Sequence, residues 1–503
     1  MSNRLLTGRL KALAAAALLT AAFINVPTFA EAATITVGIG AEPGTLDPHA
    51  LDDGPERTIN DNIFETLLVR ENDGSLLPGL AAELPTQVDE LTWAVKLRPG
   101  IKFTNGEALD ATAVAHSINR IINPELKTGQ GSYISTIAGA EVVDPLTVHV
   151  KTKQPDPTIQ TRLAWIKIVP TVYSEDPAFA ESPVGTGPYK FVRWDRGQQV
   201  VIEANPEYWG DKPTVEGATF RFIPDANTRV AGVLSGEVDI ITNVAPEVAP
   251  QLPKVVTQQG VELPYMVLNA RAGAGITEDK RVRQALNYAV NKEELAEAIF
   301  GGYAAVADGQ LLAPISFGYD PTIKAYPYDP EKAKALIAEA GAEGATINIT
   351  SQSGRWLKDR DVAEAIAGYW REIGLDVKVD VYEWSDFLSR IRNRDVRPQT
   401  FYASSSNDLF DADRPTTQTL HPTDGSSSSN ENTALGELIT QARFETDVEK
   451  RKALYSQILT EAHEEAYLVW LLWSQDIYGT TERINWTPRP DGKILVKTIT
   501  VTE

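Results

Sequence analysis

The chain has 503 residues, of which 43% are hydrophobic, so it is long enough to build two or three domains with separate cores. Its formal net charge of −21 argues against nucleic-acid binding, which needs a basic surface to neutralise phosphates. The sequence contains no cysteine, which excludes disulfides, thiolate metal sites, a cysteine nucleophile and the lipid-bearing cysteine of a lipoprotein.

The first 32 residues have the pattern of a secretory signal peptide. Three basic residues precede an apolar run at residues 12–26, and Ala30-Glu31-Ala32 then supplies the small residues of a cleavage site. The run is shorter than the ~20 residues that a membrane-spanning helix needs, although an uncleaved anchor is the alternative interpretation. We therefore predict cleavage near residues 30–33 and export to the periplasm without a lipid anchor.

The segment after the signal peptide is predicted to form a small unit of strands and one helix. An alternating run at residues 91–98 predicts a strand that turns at Pro99-Gly100 and returns as a second strand at 101–103. Asp110 is placed to cap a helix that continues through Ile122, because its carboxylate can accept the free N–H groups of the first turn.

The stretch from Pro183 to Trp194 is predicted to be a junction between domains. It holds two glycines and two prolines within six residues, which predicts a tight turn, because proline presets φ and glycine allows a positive φ. Alternating runs at residues 189–194 and 198–203 then predict a hairpin. After this hairpin the pattern changes to repeated strand–helix units.

Strands and helices alternate in the second half of the chain. The predicted elements are a helix between Asp329 and Gly341, strands at 347–350 and 375–382, and helices at 360–373 and 385–392. This alternation predicts a parallel sheet covered by helices, in which ligands bind at loops beyond the carboxyl ends of the strands. The Ser/Asn-rich segment at 424–432 is predicted to be a mobile surface loop.

Several short blocks carry a resemblance to a known family. They are Leu46-Asp-Pro-His49, Leu97-Arg-Pro-Gly-Ile-Lys-Phe103, Gly185-Thr-Gly-Pro-Tyr189, Asn205-Pro-Glu-Tyr-Trp209 and Gly236-Glu-Val-Asp-Ile240. In this order the blocks resemble the bacterial family 5 extracytoplasmic solute-binding proteins, which are the dipeptide-, oligopeptide- and nickel-binding components of ABC importers. The resemblance extends over roughly residues 35–501.

The resemblance implies both a fold and a function. The implied fold is α/β, a two-lobed periplasmic-binding-protein fold of type II in its large three-domain variant, with lobes that are discontinuous in sequence. The implied divisions are lobe I at 33–60, 183–262 and 475–503, an extra small domain at 61–182, and lobe II at 263–474. The implied protein is a monomer that binds a peptide or peptide-like solute and delivers it to a membrane permease driven by a cytoplasmic ATPase.

An acidic segment after the predicted strand at Phe401-Tyr402 is the first candidate for ligand binding. Asp408, Asp411 and Asp413 lie within six residues, a spacing that fits a ligand site, a solvated turn or part of a calcium loop, although the glycine and closing glutamate of that loop are absent. The resemblance implies that Asp408 binds a peptide amino group. Family members that bind peptides usually have a tryptophan where this chain has Ser405, which puts a short-peptide ligand in doubt.

Arg355 and two tryptophans form the second candidate. Arg355 offers a planar fork that suits a carboxylate, and Trp356 beside it offers a stacking face. The resemblance implies that an arginine in this loop holds the ligand's carboxylate. Trp384 is predicted to line the same cleft, with packing in the core as the alternative.

The sequence shows no catalytic or metal-binding constellation. The motifs of serine hydrolases and phosphate loops are absent, and His463-Glu-Glu lacks the second histidine of a zinc protease. The five histidines have no ligand spacing, so we predict no enzyme, no metal site and no cofactor. Two alternatives remain: the same fold with an opine, an oligosaccharide or a chelated metal as its solute, and an exported hydrolase.

Overall fold

The computed structural model describes residues 33–353 and 355–502. The predicted signal peptide at residues 1–32 lies outside the described residues. Within the described part, no helix is both long enough and apolar enough to cross a membrane.

The described residues form twenty-one strands. In chain order they are β1 (Thr34–Ile39), β2 (Leu68–Arg70), β3 (Leu76–Pro78), β4 (Thr86–Asp89), β5 (Thr92–Lys96), β6 (Ile137–Asp144), β7 (Thr147–Thr152), β8 (Tyr189–Asp195), β9 (Gln199–Ala204), β10 (Gly217–Phe222), β11 (Ile240–Ile241), β12 (Lys254–Gln259), β13 (Glu262–Leu268), β14 (Ala304–Val306), β15 (Thr346–Gln352), β16 (Asp376–Tyr382), β17 (Thr400–Ser406), β18 (Leu468–Trp470), β19 (Leu472–Thr480), β20 (Ile484–Asn485) and β21 (Thr500–Val501).

The same residues form twelve α-helices. They are α1 (Gly54–Ile63), α2 (Ala111–Ile122), α3 (Ile159–Leu163), α4 (Ala226–Ser235), α5 (Lys280–Tyr288), α6 (Lys292–Ala298), α7 (Pro330–Glu339), α8 (Asp359–Glu372), α9 (Trp384–Arg392), α10 (Asp413–Leu420), α11 (Thr433–Phe444) and α12 (Val448–Glu464). Two predicted caps are confirmed, because Asp110 accepts from Ala113 N–H and Asp329 accepts from Lys332 N–H.

The largest sheet takes its strands from the beginning, the middle and the end of the chain. Its order is β12-β19-β11-β1-β10-β9-β8, with β14 paired to β19. Strand β1 is parallel to β10 and β11, and the other neighbours are antiparallel. This sheet is the centre of lobe I.

A second sheet has the order β16-β15-β17-β13-β18 and is the centre of lobe II. Strand β15 is parallel to β16 and β17, as the strand–helix alternation predicted, whereas β13 is antiparallel to both of its neighbours. Helix α8 packs on β15 and β16. The chain passes from the sheet of lobe I to that of lobe II between β12 and β13 and returns between β18 and β19, and β14, from the segment between these crossings, pairs with β19.

A small antiparallel sheet has the order β4-β5-β7-β6. The predicted hairpin at Pro99-Gly100 is wrong, because β5 pairs with β4 and β7 while the segment after the turn makes only a single bridge between Lys102 and Ala108. Alternation identified the strand correctly, but it could not identify its two partners, β4 just before it and β7 about fifty residues later. The boundaries predicted for this domain and for the lobes stay predictions.

The Ser/Asn-rich segment at 424–432 is not a mobile surface loop. Ser428 and Asn430 in it are buried, and the guanidinium groups of Arg394 and Arg397 donate to its backbone carbonyls. The composition suggested a solvated loop, but two arginines from a distant segment satisfy the backbone that would otherwise need water.

Candidate ligand-binding site

A cavity of about 860 Å³ lies between lobe I and lobe II. Its volume falls within the ~300–1,000 Å³ that small-molecule sites usually occupy. Lobe I contributes segments around Gly40, Asn243 and Asp476, α1 contributes Arg57, the C-terminal tail contributes Asp491, and lobe II contributes segments around Glu262, Trp356 and Asp408. A larger groove of about 1200 Å³ lies between β4 and α11, but none of the predicted site residues lines it.

The structure brings three of the five predicted ligand residues to this cavity. Asp408, Arg355 and Trp356 line it, although Asp408 and the other two residues are separated by about fifty positions. Trp384 stands behind Trp356, with the two rings edge to face at 5.6 Å. Asp411 does not line this cavity and is buried in the interior.

Asp408 is paired with residues from the N-terminal part of the chain. Its Oδ1 accepts from Arg57 Nη1 at 3.3 Å, and its Oδ2 accepts from the Tyr133 hydroxyl at 2.6 Å. Burial by itself would raise the pKa of Asp408, but the charges of Arg57 and Arg414 and the Tyr133 hydrogen bond hold it below its usual value. Asp408 is therefore an ionised carboxylate that already has a cationic partner.

Arg57 is also anchored by residues other than Asp408. Its Nη2 donates to the carbonyl of Asp52 at 3.0 Å, and its guanidinium lies 4.7 Å from the centre of the Trp165 ring. Tyr133 stacks on the same Trp165 at 4.1 Å. The sequence analysis missed Arg57, Tyr133 and Trp165, because no local pattern distinguishes them and only the tertiary fold brings them to the Asp408 loop.

Asp411 has a structural partner in the interior. Its two oxygens accept from Arg451 at 2.6 and 2.7 Å, and Oδ1 also accepts from Asp413 N–H. Asp411 is only 4% exposed and does not line the cavity, so it stabilises the fold through Arg451 and is not in position to contact a ligand there. Asp413 likewise pairs with Arg162 and Arg443.

Arg355 is an exposed cation on the rim of the cavity. Its guanidinium makes no hydrogen bond and no ion pair with any described residue, but it lies 5.4 Å from the centre of the Trp356 ring and 5.7 Å from that of Trp384. Its backbone N–H donates to Asp359 at 3.0 Å, which fixes the loop at the start of α8. The result is a positioned guanidinium with free donors.

Trp356 lies between the guanidinium of Arg355 and the carboxylate of Glu262 and contacts both. Its indole N–H donates to Glu262 Oε1 at 2.7 Å, and its ring packs edge to face on Tyr402 at 5.6 Å. Glu262 also accepts a hydrogen bond from the Ser404 hydroxyl. Because Glu262 begins β13 directly after the crossing from lobe I, this contact places the tryptophan beside the hinge.

Asp476 is a second acidic residue of the cavity that the sequence analysis missed. It lies on β19, where it is paired with Gln258 of β12, but its carboxylate makes no hydrogen bond or ion pair with any described residue. Burial, with a smaller contribution from the charge of Glu262, raises the pKa of Asp476 to about 6. The available signal was that Asp476 is the single charged residue of β19.

The cavity between the two lobes has charged walls, and the described residues contain no group of three or more His, Cys, Asp or Glu side chains that could hold a metal ion. The family model for bacterial extracellular solute-binding proteins, family 5, matches residues 75–427, and the chain belongs to this family. The resemblance and the two-lobed α/β fold expected from the sequence are thereby confirmed. The family consists of solute-binding proteins, so the expectation that this protein is not an enzyme is also confirmed.

Curated relatives and solved structures agree with this assignment. The chain is 30% identical over 413 residues to the glutathione-binding protein GsiB of Pectobacterium atrosepticum, covering 79% of each chain. It is 27% identical over 484 residues to the dipeptide-binding protein of Escherichia coli, covering 88% of this chain and 90% of the relative. The structure of NikA from Brucella suis in complex with Fe(III)-EDTA superposes with a TM-score of 0.84 at 25% identity, over 93% of this chain and 100% of that one.

Proposed function

We propose that this protein is the periplasmic binding component of an ABC importer and that it carries a peptide or peptide-like solute. The solute binds in the cavity between the lobes, and the closed, loaded protein then docks on a membrane permease that a cytoplasmic ATPase drives. The protein acts as a monomer after its signal peptide is removed. The names of the glutathione-binding and dipeptide-binding relatives support a peptide-like solute.

The observation that carries this proposal is the unpaired guanidinium of Arg355. A cation without a partner among the described residues, held beside two indole rings at the edge of a cavity, is prepared to bind a carboxylate with two parallel hydrogen bonds. Every peptide with a free C-terminus supplies such a group. We therefore assign the ligand's carboxylate to Arg355, with Trp356 and Trp384 supporting the guanidinium.

Ligand binding is coupled to closure because the walls of the cavity belong to both lobes. A solute that touches both walls binds the closed conformer more tightly than the open one, and it shifts the population towards closure by that difference in affinity. The permease can then distinguish the loaded protein from the empty one by its shape.

Native mass spectrometry of freshly purified protein, followed by calorimetry, tests the proposal. A retained peptide identifies the solute class, whereas a retained opine, oligosaccharide or metal chelate would replace the peptide in this proposal. Conversion of the bound compound during storage would contradict transport altogether.

The Arg355→Gln variant tests the position of the carboxylate. We expect it to lower the affinity for a peptide with a free C-terminus by ~1.5–3 kcal/mol, the contribution of a hydrogen bond to a charged group, and to affect the C-terminal amide far less. Arg392→Gln is the matched control, since Arg392 is exposed at the end of α9 and does not line the cavity. An equal loss for the acid and the amide would remove Arg355 from the site.

A further inference from the structure

Asp408 is poorly available for a ligand's amino group in this protein. Arg57 and the Tyr133 hydroxyl each donate to one of its oxygens, and Arg57 is itself held by the carbonyl of Asp52 and the ring of Trp165. A second cation at Asp408 would have to approach the anchored guanidinium of Arg57, and like charges repel. The ligand's amine therefore needs another acceptor.

Glu262 and Asp476, two further carboxylates in the wall of the cavity, supply that acceptor. Asp476 has no partner among the described residues, and Glu262 uses only Oε1 in its bonds to them, which leaves Oε2 free. Both carboxylates line the cavity, and the charge of Glu262 adds to the burial that raises the pKa of Asp476. An ammonium group bound there gives each free oxygen a donor and offsets the repulsion between the two carboxylates.

The cation that complements this acidic pair lies beside the same tryptophan. Glu262 binds the N–H edge of Trp356, while the guanidinium of Arg355 faces the ring of Trp356. A ligand in contact with this indole thus meets an unpaired cation at the ring and the Glu262 carboxylate at the N–H edge, while the unpaired carboxylate of Asp476 lines the same cavity. This arrangement of charges fits a small zwitterion.

We propose that Glu262 and Asp476, rather than Asp408, hold the amino group of the ligand, and that the site selects short zwitterionic peptides whose two charged ends meet Arg355 and this acidic pair. Asp408 acts instead as a contact between the lobes through Arg57. This inference rests on the proposed function, since it assigns the ends of a peptide within the same cavity.

Calorimetry with a panel of di- and tripeptides that includes glutathione tests the inference. The tightest binder is measured in its free form and in its N-acetylated form against wild type, Asp476→Asn, Glu262→Gln and Asp408→Asn. Asp380→Asn is the matched control, because Asp380 is exposed on β16 and does not line the cavity. Circular dichroism confirms that each variant is folded.

We expect Asp476→Asn and Glu262→Gln each to weaken the free peptide by about tenfold or more, the effect of losing a hydrogen bond to a charged group, and to leave the N-acetylated peptide nearly unchanged. Asp408→Asn should weaken both forms by the same factor. If Asp408→Asn alone discriminates between the two forms, Asp408 holds the amine and the inference is wrong. If no peptide binds to the wild type, the proposed function fails and the inference fails with it.

Discussion

Two aspartates of one cavity differ because of their partners and not because of their burial. The pKa of Asp408 is lowered, since the favourable charges of Arg57 and Arg414 exceed the cost of burial. The pKa of Asp476 is raised to about 6, since burial acts on it without a compensating cation. The first residue contributes to the stability of the closed protein, and the second is left able to gain a partner when a ligand arrives.

The ionised form of Asp476 should destabilise the ligand-free protein at neutral pH. Its pKa rises from 3.8 to about 6 on folding, so between these values the folded chain holds a proton that the unfolded chain has lost. Stability should therefore fall as the pH rises through this interval, by at most ~3 kcal/mol for a shift of about two units. We expect Asp476→Asn to raise the melting temperature at pH 7.5 and to leave it nearly unchanged at pH 4.

The charged and titratable groups around Asp476 support this interpretation. Burial is the main cause of its raised pKa and the charge of Glu262 adds to it, whereas the hydroxyl of Tyr478 stays neutral because burial raises the pKa of that group well above its usual value. Asp491 lines the same cavity but pairs with Arg489. Thermal unfolding of Asp380→Asn at the same two pH values is the control, and an equal gain in this variant would show that only net charge matters.

At the scale of elements, the turn at residues 185–187 shows why the chain needs two glycines there. Gly187 N–H donates to the carbonyl of Ile63 at the end of α1, at 2.9 Å. A Cβ at Gly187 would lie 2.6 Å from that oxygen, and a Cβ at Gly185 would overlap with it more severely. The turn therefore docks directly on the backbone of α1, and β8 begins at Tyr189 from this fixed point.

Replacement of Gly185 by alanine should destabilise the fold much more than the addition of a single methyl group usually does. We expect Gly185→Ala to lower the free energy of unfolding by more than ~2 kcal/mol, because the added methyl group meets backbone that belongs to a packed helix end. Gly131→Ala is the matched control, since a Cβ at exposed Gly131 meets no atom within 4 Å. Urea unfolding measures both variants, and equal stabilities would contradict the close approach.

At the scale of the whole molecule, the loop after β17 joins the two halves of the structure. Asp408 pairs with Arg57, and Arg70 donates to the carbonyl of Leu409 at 3.1 Å. Arg162, which is 1% exposed, pairs with Asp413 at 2.9 Å. Three arginines from the first third of the chain thus meet one loop of lobe II, and this polar contact can form only when the lobes are together.

Loss of Arg57 should shift the protein towards its open form. We expect Arg57→Gln to cost the closed conformer ~1.5–3 kcal/mol, the contribution of a hydrogen bond to a charged group. Small-angle scattering should show a larger radius of gyration without ligand, and the affinity for free and N-acetylated peptides should fall by the same factor. Arg193→Gln at an exposed position of β8 is the control, and a selective loss for free-amine peptides would contradict a role in closure.

The sequence determined the elements, the family and the charged loops that carry function. Strand alternation, helix caps such as Asp110 and the glycine turn at residue 185 are local features, because the two-residue and 3.6-residue periods and the cap geometry depend on neighbours in the chain. Arg355 and Asp408 could be selected for the same reason, since each lies in a short block that resembles the family.

The tertiary structure alone decided which charges remain free to bind a ligand. Asp408 and Asp476 are both carboxylates in a cavity, but the charge that each one meets comes from a residue hundreds of positions away, Arg57 for Asp408 and Glu262 for Asp476. The strand partners of β5 and the buried state of the segment at 424–432 were decided in the same way. Electrostatic pairing and burial depend on distance in space, which the order of residues along the chain does not specify.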